Sequence, residues 1–170
     1  MCLVTDYRAL NKAMVNNCYP LPWIEELLDT LYGAKLFTKL DLTANYHQVR
    51  MNPDDVWKTT FKTKFGHFEW KVIPFSLTNT PTTFMRFINQ IFIAHLGQFL
   101  VIYLDYILIF SRTWDTHMRH VRQVLQIIQE DKLQVKGKNS YFGQTSIPYL
   151  DFVVSSEGTQ PDPTCIQALK

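Results

Sequence analysis

Two acidic residues stand where apolar strands give out. Asp105 lies inside Val101-Ile102-Tyr103-Leu104-Asp105-Tyr106-Ile107-Leu108-Ile109-Phe110. A lone carboxylate buried in a sheet costs several kcal/mol or shifts its pKa to become neutral. The acid therefore belongs at a hairpin tip between two apolar strands, either solvated or holding a cation. Asp41 ends a second apolar stretch, Leu36-Phe37-Thr38-Lys39-Leu40, in the same way. Two carboxylates at neighbouring strand ends could share hard cations such as Mg²⁺, which prefer oxygen ligands. Two such ions about 4 Å apart would activate a 3′-hydroxyl and stabilise a leaving pyrophosphate. The same pattern fits strand-end acids that only face solvent, and the two residues alone leave that choice open.

Other candidates are weaker. Lys58, Lys62, Lys64 and Lys71 alternate with Phe61, Phe65, Phe68 and Trp70. Charge interleaved with rings suits a nucleic-acid surface, and equally an amphipathic hairpin with solvated lysines. His117 and His120 are three apart on a predicted helix, a spacing a metal could use. With no Cys, Asp or Glu at metal-site spacing, a solvated helix face is the better reading. His47 reads as a packing or hydrogen-bonding group, and Tyr7 and Trp23 as core or surface cover.

The elements that must position these residues follow from periodicity. Pro20-Leu21-Pro22 opens a helix with Ile24, Leu27, Leu28 and Leu31 on one stripe and Gly33 as its stop. Residues 36–42 read as a strand ending at Asp41. Residues 59–72 read as a hairpin with Phe61 and Phe65 on one strand face, Lys62 and Lys64 on the other, and Gly66 at the turn. Pro81 starts a helix with Phe84, Phe87, Ile88 and Ile91 inward. Residues 99–110 form the acid-tipped hairpin. Thr113 caps a helix that points Met118, Val121, Leu125 and Ile128 inward. Gly137, Gly143 and Pro148 break the tail, leaving one short strand over 149–155. The sequence predicts an α+β fold, an antiparallel sheet with helices packed on one face.

Composition fits one folded domain. Of 170 residues, 46% are hydrophobic and 19% charged, which excludes disorder. The net charge of +2 neither demands nor excludes a nucleic-acid partner. Cys2, Cys18 and Cys165 form no CxxC pair, which points to reduced thiols. The longest apolar run is too short to span a bilayer. These features predict a soluble, intracellular protein with no membrane partner.

Longer motifs carry a resemblance. Asp6-Tyr7-Arg8-Ala9-Leu10-Asn11, Lys39-Leu40-Asp41-Leu42 with Tyr46-His47-Gln48, Phe65-Gly66-His67-Phe68, Pro74-Phe75 with Leu77-Thr78-Asn79, Tyr103-Leu104-Asp105 with Ile107-Leu108-Ile109, and Glu157-Gly158 occur in order. Over almost its whole length the chain resembles the reverse transcriptase of gypsy-type LTR retrotransposons. The resemblance implies fingers and palm over residues 1–160, shortened at the N-terminus, and an incomplete start of the thumb over 161–170. It implies an RNA-directed DNA polymerase that acts on an RNA/DNA template-primer and deoxynucleotides with two Mg²⁺ (or Mn²⁺) ions, in association with other parts of a polyprotein. Asp41 and Asp105 would be catalytic metal ligands, with Leu42 lending a backbone carbonyl. Tyr46 would lie under the sugar and exclude a 2′-hydroxyl. Phe75 would pack near the nucleotide, Arg8 would face phosphates or template, and Lys62 and Lys64 would meet nucleic acid.

The chain also departs from the pattern. The family has two adjacent aspartates where this sequence has Asp105-Tyr106. A phenol is neutral near pH 7 and a poor Mg²⁺ ligand, so activity is expected to be lost. The family has glycine where Asn45, Ser76 and Asp151 stand, alanine at Thr80, and a lysine near Asn139. The competing readings are a non-catalytic nucleic-acid-binding remnant and a relic with no function.

Overall fold

The computed structural model describes residues 5–43 and 45–163, with the side chain of Asn45 outside the description. The described residues fall into two compact units, one from 5–21 and 45–90, the other from 22–43 and 91–163.

The second unit holds a four-stranded antiparallel sheet. Its strands are β1 (Leu36–Asp41), β4 (Leu100–Tyr103), β5 (Tyr106–Ser111) and β6 (Tyr141–Gln144), in the order β4-β5-β1-β6. Every residue of β1 has a partner on β5, from Leu36 opposite Ser111 to Asp41 opposite Tyr106. Directly opposed residues share a face. One face therefore carries Phe37, Lys39 and Asp41 with Phe110, Leu108 and Tyr106. The other carries Leu36, Thr38 and Leu40 with Ser111, Ile109 and Ile107.

Helix α4 (Trp114–Glu130) covers the Thr38 face. Thr113 caps it as predicted, accepting the Thr116 N–H. The inward stripe differs from the prediction. Val121 and Ile128 are buried, but with His117 and Val124, while Met118 and Leu125 stay about two-fifths exposed. The stripe is rotated because the buried helix surface meets hydroxyls as well as apolar groups. His117 is fully buried, with Nε2 2.8 Å from Thr38 Oγ1 and Nδ1 3.0 Å from Ser111 Oγ. His120 Nδ1 lies 2.8 Å from the same Ser111 oxygen, and its ring stacks on Phe99. The two histidines are thus neither a solvated face nor a metal pair. They are linking members of a hydrogen-bond chain.

The opposite face is closed by a mixed cluster. Leu27 and Leu31 around helix α2 (Ile24–Thr30) join Phe37, Val101 and Leu108 of the sheet with Ile147, Tyr149 and Val154. The last three belong to a meander of β7 (Ser146–Tyr149), β8 (Phe152–Ser155) and β9 (Gly158–Pro161). Gly33 ends the α2 segment at φ +77, as its place in the sequence predicted. The tail differs from the prediction of one strand over 149–155. A two-residue turn, Leu150-Asp151, splits it, and both turn residues have positive φ. Gly143 and Pro148 lie inside strands rather than breaking them. Gly143 takes φ +58 beside the irregular β1–β6 register, where a Cβ would run into the Trp114 ring.

In the first unit a short helix, α1 (Arg8–Ala13), went unpredicted; none of its residues is buried, so it has no apolar stripe to read. The predicted hairpin is present but short, with β2 (Phe61–Thr63) against β3 (Gly66–Phe68). Its turn is Lys64-Phe65, and Gly66 begins the return strand at φ +132. Lys64 and Phe65 therefore sit at the tip rather than on strand faces, and Phe65 is 80% exposed. Helix α3 (Thr80–Ile91) buries Phe84 and Ile88 as predicted, together with Met85. Among the described residues no helix is long and apolar enough to cross a membrane.

Candidate active site

Strand β5 follows β4 through the two-residue turn Leu104-Asp105, so Asp105 sits at a hairpin tip as its apolar flanks required. Leu104 adopts φ +52, a conformation that costs a non-glycine residue about 1 kcal/mol. The β1–β5 register then carries Asp41 to the tip. Asp41 opposes Tyr106, and the next residue, Leu42, donates its N–H to the Asp105 carbonyl at 3.0 Å. Residues 41, 42, 105 and 106 therefore meet at one end of the sheet.

Asp41 is only 6% exposed. Neither carboxylate has an ion-pair partner among the described residues. A neutral amide approaches instead, with Asn139 Nδ2 donating to Asp41 Oδ2 at 2.8 Å. Lys39, two residues earlier on the same face, points elsewhere. Its ammonium donates to the Pro148 carbonyl at 2.7 Å and lies 5.1 Å from the ring centroids of both Tyr106 and Tyr141. Burial lowers the Lys39 pKa, and Asp41 opposes that shift. The Tyr106 phenol is pushed up from its ordinary value, first by burial and then by the negative fields of Asp105 and Asp41. It stays protonated at neutral pH and adds no charge where the family places a carboxylate. Among the described residues no three His, Cys, Asp or Glu side chains are grouped so as to hold a metal ion by themselves.

The donor set nonetheless fits a divalent cation. Two carboxylate-bearing residues meet at one sheet end, one of them buried, and among the described residues neither is held in an ion pair. Burying such a charge alone is costly, and a hard cation is the natural counterpart for oxygen donors.

The remaining predicted residues lie in the first unit. Tyr46 and Phe75 come together, with ring centroids 5.0 Å apart, and Tyr46 also meets Phe84 at 5.5 Å. His47 stacks on Trp70 and meets the Phe75 ring, a packing role as predicted. Arg8 is exposed and engaged by Asp6, with Nη2 2.7 Å from the carboxylate. That contact holds the Asp6 pKa at about 2. Lys62 and Lys64 are both exposed, beside exposed Phe65 and Phe68. Among the departures, Asp151 takes φ +63, a conformation glycine adopts freely. Thr80 is buried with its hydroxyl donated to the Pro74 carbonyl.

Residues 1–154 match the family model described as reverse transcriptase (RNA-dependent DNA polymerase). The chain belongs to the reverse transcriptase family. The chain is 37% identical over 167 residues to a retrovirus-related Pol polyprotein from transposon opus of Drosophila melanogaster, covering 98% of the chain and 17% of that relative. It is 34% identical over 168 residues to the corresponding polyprotein from transposon gypsy of the same species, covering 99% and 16%. A Tf2-3 transposon polyprotein of Schizosaccharomyces pombe is 36% identical over 159 residues, covering 94% and 12%. These similarities bear out the gypsy-type resemblance, and the chain spans about a sixth of the length of the first two relatives. In fold it matches a foamy viral protease-reverse transcriptase in complex with an RNA/DNA hybrid, with TM-score 0.88, 22% identity and coverage of 98% of this chain and 22% of that one. A second foamy viral structure, in complex with double-stranded DNA, gives 0.89 at 21% identity, covering 96% and 29%. The α+β fold of fingers and palm is thereby established.

Sequence reasoning missed what surrounds the acids. Asn139 was visible only as a departure from the family pattern. Its contact spans 98 residues of sequence, and no local pattern encodes it.

Proposed function

We propose that this chain is the fingers and palm of an RNA-directed DNA polymerase from a retrotransposon polyprotein, and that its nucleotidyl-transfer site is disabled at Tyr106. The observation that carries this reading is the register of β1 against β5, which sets Tyr106 directly opposite Asp41. A carboxylate at 106 would stand with Asp41 and Asp105 at one sheet end. A phenol there supplies no charge.

Asp41 and Asp105 are the metal ligands, with the Leu42 carbonyl as a further oxygen donor. Bound divalent ions, Mg²⁺ or Mn²⁺, would activate the primer 3′-hydroxyl and offset charge on the leaving pyrophosphate. Two carboxylates carry less negative charge than the three the family uses, so retention of both ions is weakened. Tyr46, held edge-on by Phe75 and Phe84, forms a rigid platform under the sugar of a deoxynucleotide. Arg8 reaches a phosphate only by exchanging out of its pair with Asp6. Lys62 and Lys64 contact the template-primer phosphates, and exposed Phe65 and Phe68 offer rings for stacking.

Primer extension on an RNA template tests the proposal. The unaltered chain should give no templated product with Mg²⁺ or Mn²⁺, and Tyr106→Asp should restore synthesis. Clear extension by the unaltered chain refutes the disabled site. A second reading, a nucleic-acid-binding remnant without catalysis, rests on the exposed basic and aromatic hairpin tip. Salt-dependent binding of the template-primer without extension, in both the unaltered chain and Tyr106→Asp, would favour it.

A further inference from the structure

The segment 136–140 closes on Asp41 from three sides. Lys136 N–H donates to the Asp41 carbonyl at 2.7 Å. Asp41 N–H donates to Ser140 Oγ at 3.2 Å, and Asn139 Nδ2 donates to the carboxylate oxygen Oδ2 at 2.8 Å. The segment is tied internally as well. Ser140 Oγ donates to the Lys136 carbonyl at 3.0 Å, and the Asn139 and Ser140 amides donate to the Lys136 and Gly137 carbonyls. Two of the three contacts hold Asp41's backbone. Of these three, the Asn139 amide is the one that bonds to its carboxylate.

We propose that Asn139 is a positioning residue for the cation site, fixing the orientation of the Asp41 carboxylate. The proposal rests on the reading of Asp41 and Asp105 as cation ligands. An amide at Oδ2 occupies one lone-pair direction of that oxygen and does not engage Oδ1, which can face an ion. Because the donor is neutral, it orients the carboxylate without cancelling its charge. An ammonium at the same place would orient it too, but would compete with the ion for it. In a site reduced to two acids that difference matters, since each remaining charge counts more toward holding a cation. Removing groups that orient metal ligands typically weakens binding about 10–100-fold.

Mn²⁺ titration of the purified chain, followed by electron paramagnetic resonance of the free ion, reads this directly and needs no turnover. Asp105→Asn sets the background from ions bound elsewhere. Above that background, Asn139→Ala should bind Mn²⁺ about 10-fold more weakly or worse. Ser140→Ala disturbs the same segment without touching the carboxylate, and its affinity should stay within about two-fold of the unaltered chain. If Asn139→Ala does not fold, Asn139→Ser keeps a polar side chain too short to reach Oδ2 and should show the same weakening. Equal affinity for the Asn139 variant and the unaltered chain overturns the proposal, as does an equal loss in Asn139→Ala and Ser140→Ala, which would mark a purely structural role. No binding by the unaltered chain above the Asp105→Asn background overturns the cation reading itself, and the proposal falls with it.

Discussion

Replacing His117 with leucine should destabilise the protein at neutral pH and flatten its acid sensitivity. The hydrogen-bond chain runs in one direction when each donor is given an acceptor. Gly143 N–H donates to Thr38 Oγ1 at 3.0 Å, Thr38 O–H to His117 Nε2, His117 Nδ1–H to Ser111 Oγ, and Ser111 O–H to His120 Nδ1. Both imidazoles are neutral in that arrangement. Burial lowers the pKa of each below the usual 6.5, with the facing histidine adding to the effect at His117 and Arg119 and His95 adding to it at His120. The Phe110 carbonyl pulls the other way at His120. Lowered folded pKa values mean that the unfolded chain binds protons first. Their contribution is therefore fully present above pH 6.5 and is lost as the pH falls from 6.5 through the folded values. A histidine that excludes its proton completely costs about 1.4 kcal/mol between pH 7.5 and 5.5. His117→Leu keeps roughly the same volume but leaves the buried Thr38 hydroxyl without its acceptor, a loss of about 1–3 kcal/mol at pH 7.5. Urea denaturation at pH 7.5 and 5.5 should show that deficit narrowing on acidification by up to about 1.4 kcal/mol. A deficit that stays constant or widens across this interval would show that His117 does not exclude a proton, and the reasoning would fail.

Three further outcomes can be checked. Gly143→Ala puts a methyl group 2.9 Å from the Trp114 ring at a left-handed position, so thermal melting should show a loss of about 1–3 kcal/mol. Asp151→Gly relieves positive φ in the turn joining β7 and β8 and should raise stability by up to about 1 kcal/mol, read by the same melts. Lys62→Ala with Lys64→Ala should reduce the slope of log affinity against log salt for a template-primer by about 1.4–1.8, if each lysine neutralises one phosphate; an unchanged slope would remove the hairpin from the nucleic-acid surface.

The fold was legible where one physical constraint acted alone. An acid among nine apolar or aromatic residues had to be at a tip, and Asp105 is. A threonine before an amphipathic run had to be a cap, and Thr113 is. Elsewhere two constraints competed. In α4 the polarity of His117 argued for solvent, and the partners that reverse that preference, Thr38 and Ser111, lie on strands invisible to a helical period. In the tail, Gly143 and Pro148 act within strands because the sheet tolerates an irregular register and an edge proline there. Helix α1 has no buried face and so no signal. The acidic pair was legible in part. Its two members could be named from strand ends, but their meeting depended on a register that pairs residues about seventy positions apart. Asn139 lay beyond reach for the same reason.

Strand β1 is an interior strand whose two neighbours arrive at different times. Residues 106–111 flank it on one side and residues 141–144 on the other. Closing loops of that length is entropically slow compared with forming a hairpin such as β4–β5. As the chain leaves a ribosome, β1 is made before both neighbours and gains the second only about a hundred residues later. Until then the edge it will offer to β6 lies bare, open to another strand, and the carboxylate of residue 41 has nothing to orient it. Assembly of the site is thus a late event in folding, timed by synthesis of the palm's far side.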